Sequence, residues 1–591
     1  MTMRRPEIPS QPTSSPTPEA GYIHIRNQAD LMNLAPGYIR VAALPGFDAA
    51  AVKHRAVALE LADESILVAA VPGYERSDIA LAIDGLAGER LHPQRAIIEP
   101  SLLLALSRGS ITRASLSGTA SYSRANAAAA SGTAGGGSAN HAAFWSLIAW
   151  GAAHHVSDLH ILLRMDERTS DVYCHIGGRY VPSGKYNGLP TETLLQMVSV
   201  AWMDIKAAGD PAFDPKLFQQ GALEQTVPGV GPLLLRWAST PCEFGNSITL
   251  RLVSRGQEAH LSFADLGYLP SQIAALERAQ LTQGGAVVFS GTPGSGKSRT
   301  LATLVGPLAA TRKVMTLEDP VEYLIPGGHQ IPIVRALDED EQNAYSAALR
   351  QLKRSAPDVV LLGEIRDQQS GLAFSDMTAA GIDIATTTHA ASLAGIPDRL
   401  TGEFIGIRRD FLASHGILKL LMHQALLPKL CPHCRLPASR LAQDGGMDSS
   451  GRARTPAQWS VWLDRLSQIY RIDACAMLIR NLDGCDHCRP GSLPQLYGYR
   501  GRTVVAEYVE PGQYPDLLRL IAKGDTIRWL DAWRSTRTAP FDDPDMRGKT
   551  LVECAIWKAM AGELDPRDIE RFESVDAAAE RAARVTAGGR Q

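Results

Sequence analysis

Short, uninterrupted apolar runs that end in a small, polar or acidic residue mark the middle of this chain. Ala286-Val287-Val288-Phe289-Ser290, Lys313-Val314-Met315, Asp358-Val359-Val360-Leu361-Leu362-Gly363-Glu364 and Ile384-Ala385-Thr386-Thr387-Thr388 are four examples. Runs of this length predict strands buried on both sides, as in a parallel sheet between helices. Upstream the rhythm changes. Ser247-Ile248-Thr249-Leu250-Arg251-Leu252-Val253 alternates, Leu233-Leu234-Leu235-Arg236-Trp237 follows a Gly231-Pro232 turn, and Phe144-Trp145-Ser146-Leu147-Ile148-Ala149-Trp150 reads as an apolar helix. Residues 21–113 mix short apolar runs with helix-like stretches around 78–86 and 100–108 and carry no chemical motif. The class expected throughout is α/β.

Composition shifts divide the chain. Residues 1–20 are rich in Pro, Ser and Thr and predict a disordered tail. Residues 114–140 are almost all Ala, Ser, Gly and Thr and predict a flexible linker after a small α/β domain at 21–113. A second α/β domain is expected over 141–262 and a nucleotide-binding core over 263–425. A cysteine-bearing segment at 426–500, a helical part at 501–574 and a fraying Ala/Arg/Gly-rich tail at 575–591 complete the division.

A chain of 591 residues exceeds what one core supports, and 59 Lys+Arg against 62 Asp+Glu gives no basic surface suited to nucleic acid over the whole chain. No run approaches the roughly 18 apolar residues of a spanning helix, and the first residues lack the apolar core of a signal peptide. These features point to the cytosol, with any membrane docking left to a partner.

The eight residues Gly291, Thr292, Pro293, Gly294, Ser295, Gly296, Lys297 and Ser298 fit the phosphate-loop pattern GxxxxGK[S/T] at every fixed position. A buried strand enters the loop, and Ser298 through Val305 reads as the first turns of a helix closed by Pro307. Glycines let backbone N–H groups face a phosphate, and the helix N-terminus adds partial positive charge. Lys297 is placed for the β- and γ-phosphates of ATP, the Ser298 hydroxyl for Mg2+, and Arg299 follows directly.

Hydrolysis also needs a group to activate water and charge to stabilise the transition state. Glu364, ending a buried strand, is the candidate general base. Gly363 stands where many phosphate-loop enzymes carry a metal-binding Asp, so Ser298 is the one protein side chain of this core expected on Mg2+. Glu318 in TLEDPVEY (316–323) is a second candidate for placing the water, against a reading as helix-capping acid. His389 ends a third strand as a γ-phosphate sensor or a structural histidine. Arg350, Arg354 and Arg366 lie near these segments as phosphate contacts or solvated surface.

Four of the eight cysteines form two CxxC pairs, Cys431/Cys434 and Cys485/Cys488. Four thiolates close a structural zinc site. Redox pairs or unligated thiols are the alternatives, and His433 or His487 can replace a sulfur. The fifty residues between the pairs, 435–484, exceed a compact zinc ribbon and predict an insertion that loops out.

In combination these motifs resemble the type II/type IV secretion ATPase superfamily, which powers type IV pilus assembly and type II secretion. The resemblance rests on the phosphate loop, TLEDPVEY (316–323), LRQLKRSAPD (349–358), GEIRD (363–367) and GIDIATTTHA (381–390), and spans roughly residues 141–572. It implies a RecA-like P-loop ATPase domain preceded by a PAS-like α/β domain. Within the first, Lys297 and Ser298 would hold nucleotide and Mg2+, with Glu318, Glu364 and His389 in catalysis. Arg236 and Arg251 of the PAS-like domain would approach the nucleotide. A tetracysteine insert followed by a GYRGR-like segment, YGYRGRTVVAEYV (497–509), and an extra N-terminal domain resemble the assembly rather than the retraction branch.

The resemblance further implies a cytoplasmic hexamer attached peripherally to the inner membrane, acting on a platform protein there. Departures occur at 380–382 (AGI for TGH), at 389–391 (HAA for HTN) and at 219–223 (QQGAL, without its arginine). They bear on sensing and inter-domain coupling more than on ATP binding. A nucleotide-switched scaffold with weak hydrolysis and a conjugative-transfer ATPase are the rival functions.

Overall fold

The computed structural model describes residues 22–42 except 27, 56–99 except 73, 102, 103, 106, 139–205, 212–254, 261–333, 341–489 and 493–588. The tail at 1–20 and all but the last two residues of the 114–140 linker lie outside them. The chain divides into two compact units. One comprises Met1–His141 with Gln196–Asp204 and Ala208–Asp214, the other Ala142–Leu195, Ile205–Ala207 and Pro215–Gln591.

The first unit holds a five-stranded mixed sheet of β1 (Tyr22–Ile25), β2 (Tyr38–Val41), β3 (Ala56–Leu61), β4 (Ile66–Ala70) and β5 (Arg95–Ile98), ordered β1-β5-β4-β3-β2. Strand β4 is buried throughout because both of its faces are covered. Ile66, Val68 and Ala70 pack with Ala80 and Ile83 of the helix Asp78–Ala87, while Leu67 and Ala69 join Ile25, Leu31 and Leu103. Ser77 caps that helix, its hydroxyl accepting from the Ala80 N–H.

The second unit opens with the helix Ala139–Ala153, most of which belongs to it, and an antiparallel sheet. Its strands are β6 (Asp158–Arg164), β7 (Thr169–Ile176), β8 (Arg179–Pro182), β9 (Leu189–Pro190), β10 (Gln219–Val227), β11 (Gly231–Cys242) and β12 (Gly245–Ser254). The order is β10-β11-β12-β6-β7-β8, with β9 on β7. Alternation on β6 and β7 sends Leu159, Ile161, Val172 and Cys174 inward. Gly151 lets the helix lie close on the sheet, since a Cβ there would stand 3.1 Å from a Leu159 methyl and 3.2 Å from one of Leu252.

Next comes the sheet that organises the candidate site. Its strands are β13 (Gly285–Ser290), β14 (Val314–Glu318), β15 (His329–Pro332), β16 (Val359–Leu362), β17 (Asp383–Thr388) and β18 (Leu418–Leu430). A short β19 (Leu436–Pro437) pairs with β22 (Leu478–Ile479), and β20 (Gly446–Met447) with β21 (Ala453–Arg454). The last strand, β23 (Tyr499–Val509), returns to the main sheet, whose order is β15-β14-β16-β17-β13-β18-β23. All pairs from β15 to β18 are parallel, and β23 closes the edge antiparallel to β18. Strand β17 thus separates the phosphate-loop strand β13 from β16, the RecA-like arrangement. Side chains alternate between two cores: Val287, Phe289, Val359 and Leu361 face one, Ala286, Val288, Val360 and Leu362 the other.

Three expectations change. The segment from 501, expected to be helical, begins as β23. Its Thr-Val-Val run is β-branched and apolar, and it covers the edge that β18 would otherwise expose. The tail expected from 575 forms the helix Val575–Gly588, with Val575 and Ala578 buried and Asp576 paired to Arg465. The fifty residues between the cysteine pairs do not loop out. The helix Pro456–Tyr470, capped by Thr455 and Gln458, buries Trp459, Trp462, Leu463 and Leu466 in the same core as Phe289 and Leu564. Two indole N–H groups are satisfied there, Trp459 by the Gly446 carbonyl at 3.1 Å and Trp462 by Glu570 at 2.9 Å.

The antiparallel sheet also touches the C-terminal layer. Arg179 at the start of β8 lies 3.3 Å from an oxygen of the buried Asp568, and Arg571 donates to the Gly178 carbonyl. Because the insert shares the main core, Trp459→Ala is expected to cost roughly 3–5 kcal/mol of global stability. Urea unfolding checks this. A loss confined to local opening of residues 435–484 would contradict the shared core.

Candidate nucleotide site and tetracysteine centre

Parallel pairing places the carboxyl ends of β13, β14, β16 and β17 along one edge, and each ends in a residue singled out from the sequence. The loop 291–296 follows β13, Glu318 ends β14, Gly363 and Glu364 follow β16, and His389 follows β17. In the loop Gly291, Gly294 and Gly296 have φ of 148°, 76° and 85°. Gly291 is required sterically as well, because a Cβ there would stand 2.2 Å from the Gln424 carbonyl oxygen. Thr292, Pro293 and Gly294 are exposed at the tip, and Ser295 is buried.

Lys297 opens the following helix, Lys297–Val305, and is 9% exposed. Its Nζ donates to the Gly291 carbonyl at 2.8 Å and the Thr292 carbonyl at 3.1 Å. Burial pulls its pKa down, while the charges of Glu364 and Glu322 oppose that shift. Ser298 is half-buried in the first turn, and the Arg299 guanidinium lies 4.7 Å from the centre of the Tyr323 ring.

His389 ties the loop to Glu364. Its Nδ1 lies 3.3 Å from the Gly291 carbonyl, and its Nε2 lies 3.3 Å from Glu364 Oε1. A carbonyl only accepts, so Nδ1 is the donor on that side. Gly363 leaves room for the end of β14: a Cβ would stand 3.3 Å from the Leu317 carbonyl and 3.5 Å from the Glu318 Cα. An Asp side chain would be crowded beside Glu318. Burial raises the pKa of Glu318, against the hydrogen bonds it accepts from Thr316 (2.6 Å) and Gln330 (3.1 Å), with the Glu322 charge pushing in the same direction as burial.

The arginines separate. Arg236 reaches the acidic loop after β14, donating to the Asp319 carbonyl at 3.3 Å with its other Nη 3.8 Å from Asp319 Oδ1. Arg251, its partner across β11 and β12, is held within its own sheet by Asp158 at 2.8 Å. Arg350 and Arg354 are exposed on the helix Glu341–Arg354, and Arg366 lies 3.6 Å from Asp367. The structure therefore brings Lys297, Glu364, His389 and the loop together, and it places Arg236 on the Asp319 loop.

Sequence reasoning missed the residues behind the loop. His423 and Gln424 are neighbours on β18. Ser290 Oγ lies 2.8 Å from His423 Nδ1, and burial, helped by the Lys297 charge, takes the pKa of His423 down to about 4. Gln424 is fully buried and donates to the Ser295 carbonyl at 2.8 Å. Two adjacent polar residues inside the apolar run 418–427 were the available signal.

The four paired cysteines converge. All four Sγ atoms lie within 4.8 Å of one another. The hydrogen-bonding pairs are 3.8 Å (Cys431–Cys485), 3.8 Å (Cys434–Cys488) and 3.9 Å (Cys485–Cys488) apart. A tetrahedron with metal–sulfur bonds of about 2.3 Å has edges of about 3.8 Å, so the set fits Zn2+. The N–H groups of Cys485 and Gly498 point at Cys488 Sγ from 3.1 and 3.3 Å, and Gly498 accepts from the Cys431 N–H at 2.8 Å. His433 and His487 stack on each other with ring centres 3.8 Å apart. The other four cysteines, Cys174, Cys242, Cys475 and Cys554, stand apart from this group.

The model of the family "Type II/IV secretion system protein" matches residues 190–543. The chain belongs to that family. It is similar to the type II secretion system protein HxcR of Pseudomonas aeruginosa, 31% identical over 239 residues that cover 40% of this chain and 48% of that protein. The type IV pilus assembly ATPase TfpB of Acinetobacter baylyi is 30% identical over 295 residues, covering 49% of this chain and 44% of TfpB. Among solved structures, the ATPase DotB of Legionella pneumophila overlays with a TM-score of 0.45 at 18% identity, over 72% of this chain and 94% of DotB. The chain spans about half the length of HxcR and TfpB. No helix among the described residues is long and apolar enough to cross a membrane.

Two outcomes follow from this geometry. Purified protein is expected to carry close to one zinc per chain by atomic absorption, and Cys431→Ser to lose it; a folded, metal-free wild type would contradict the tetrahedral fit. For Glu318, whose ordinary pKa of 4.5 is raised by burial, the folded state binds its proton more tightly than the unfolded chain does. Stability therefore falls as pH climbs from that ordinary value through the raised one. Glu318→Gln removes the titration, so it is expected to melt above wild type near neutral pH, with the gain vanishing below about pH 4. A gain equal at both pH values would contradict a raised pKa.

Proposed function

We propose that this protein is an ATP-hydrolysing motor that powers type IV pilus assembly or type II-like secretion. One observation carries the reading: His389 links the Gly291 carbonyl of the phosphate loop to the Glu364 carboxylate, with Lys297 on the same carbonyl. Such a bridge couples the state of the loop to the group that would receive a proton from water. Lys297 would exchange the Gly291 and Thr292 carbonyls for the β- and γ-phosphates, and the loop N–H groups would hold the same oxygens. The Ser298 hydroxyl would ligate Mg2+, which neutralises charge on the β,γ-phosphate oxygens. Glu364 Oε1 would accept the proton of the attacking water, with His389 Nε2 orienting that carboxylate. Glu318 would place the water or a neighbouring carboxylate from the end of β14.

The wider setting is proposed from the family and the relatives' names. The chain would work as a cytoplasmic hexamer on an inner-membrane platform protein, with motion between the antiparallel PAS-like sheet and the ATPase sheet as the output. Arg236, already at the Asp319 loop, is the residue through which the first would sense the second.

Wild type is expected to hydrolyse Mg-ATP, and Lys297→Ala to lose binding. Glu364→Gln is expected to bind ATP normally and to turn over about 100-fold or more slowly. Steady-state phosphate release and equilibrium binding measure both. A wild type no faster than Glu364→Gln at equal binding would replace the motor with a nucleotide-switched scaffold. Turnover stimulated by DNA would favour a conjugative role.

A further inference from the structure

Strand β18 runs behind the phosphate loop, and a chain of buried hydrogen bonds joins the two. Gln424 Nε2 donates to the Ser295 carbonyl at 2.8 Å, and Gln424 Oε1 accepts from the Tyr268 hydroxyl at 2.6 Å. The same hydroxyl lies 2.9 Å from Thr300 Oγ1. Gln424 and Thr300 are 0% exposed and Tyr268 is 4% exposed. Tyr268 comes from the turn before the helix Pro270–Leu281, Gln424 from β18, and Ser295 and Thr300 from the loop and its helix. Nothing in the motif GTPGSGKS specifies either partner.

We infer that Gln424 and Tyr268 are positioning residues for nucleotide binding, acting through the Gly296 peptide. In a trans peptide the carbonyl of one residue and the N–H of the next point in opposite directions. Gln424 draws the Ser295 carbonyl towards β18, which turns the Gly296 N–H away from that strand, the side on which a bound phosphate would lie. The Gly296 carbonyl is fixed in turn by the Thr300 N–H at 3.1 Å. Both peptides flanking Gly296 are therefore pinned, and the Tyr268 hydroxyl bonds to the Gln424 amide and to the side chain of Thr300, whose N–H is the second anchor. An amide left to itself can flip its oxygen and nitrogen. The Ser295 carbonyl only accepts and so takes Nε2, and the Tyr268 hydroxyl, donating to Oε1, holds the amide in that orientation from its other side. Glycine at φ of 85° has a wide choice of conformations, so an unpinned loop would have to be ordered when a phosphate binds.

This inference rests on the nucleotide-binding reading above, and the test separates the two. Binding of Mg-AMPPNP to the full chain is measured by calorimetry for wild type, Gln424→Met, Tyr268→Phe and the double variant, alongside their melting temperatures. Gln424→Met keeps the volume and is expected to weaken affinity roughly tenfold, the effect of one lost buried hydrogen bond. Tyr268→Phe is expected to weaken it about threefold, and the double variant no more than Gln424→Met alone, because the hydroxyl acts through the amide. A Gln424→Met protein that melts lower yet binds within twofold of wild type overturns the inference, since packing alone would behave that way. Should Gln424→Met not fold, Tyr268→Phe decides, and wild-type affinity in that variant overturns it. A wild type that binds no Mg-AMPPNP removes the nucleotide reading itself, and this inference with it.

Discussion

The approach of β18 to the phosphate loop is the constraint on which the rest of the site depends. The Gln424 carbonyl oxygen occupies space that any Cβ at residue 291 would need, and the Gln424 side chain holds the Ser295 carbonyl on the far side of the loop. The loop is therefore shaped from behind as well as by its own glycines. Because β18 pairs with β13 in parallel and with β23 antiparallel, its position is fixed by two ladders of backbone hydrogen bonds. The same strand ends at Leu430, directly before Cys431. One continuous element thus carries the support of the loop at 423–424 and leads into the first sulfur of the cysteine cluster seven residues on.

A layer of buried charge surrounds that strand. Glu507 on β23 is 7% exposed and accepts from the Leu393 and Leu551 N–H groups, tying the segment after β17 to the start of the helix Leu551–Met560. Asp565 accepts from the Arg480 N–H and from the Arg567 guanidinium, and Tyr499 donates to Asp568 at 2.6 Å. Tyr499 is also flanked by the guanidinium groups of Arg480 and Arg179, 4.6 and 5.4 Å from its ring centre. Tyr499 follows Gly498, which bonds to both halves of the cysteine cluster. Buried groups of this kind contribute little net stability when paired and cost several kcal/mol, about 3–5, when one partner is removed. They penalise alternative packings of this layer, and they place the cysteine cluster within a network that reaches β8.

Much of the candidate site's edge was legible in the sequence because its signals are local. A phosphate loop needs glycines and a lysine at fixed spacing, and a short apolar run ending in Glu364 or His389 declares both a buried strand and the residue presented at its end. The cysteine cluster was legible for the same reason, as CxxC spacing is a property of one turn. What escaped depended on partners far apart in the chain. Tyr268, Thr300 and Gln424 meet only in the folded core, and Gln424 looks like any polar residue in a strand until its neighbours are known. The integration of 435–484 was missed because the spacing between the cysteine pairs alone was read, as an insertion, whereas Trp459 and Trp462 share a core with Leu564, Ile569 and Val575. Strand β23 was hidden because its role is to cover an edge that the sequence does not display. The arginines divided on the same principle: Arg236 and Arg251 sit opposite each other in register, yet only the first faces a loop from another sheet.

That division matters for any motion between the two sheets of the second unit. Among the described residues, the charged contacts of the antiparallel sheet with its neighbours include two of different character, Arg236 with Asp319 and Arg179 with Asp568. At Asp319 the guanidinium of Arg236 is one-third exposed, its carboxylate partner is 3.8 Å away, and water can replace either group. At Asp568 the acceptor is 2% exposed and is shared with the Tyr499 hydroxyl, next to Gly498 of the cysteine cluster. Separating Arg179 from Asp568 would leave a carboxylate buried with one fewer partner, a far larger penalty than exposing Arg236. The contact at the Asp319 loop is thus the easier to break and the contact beside the cysteines the harder.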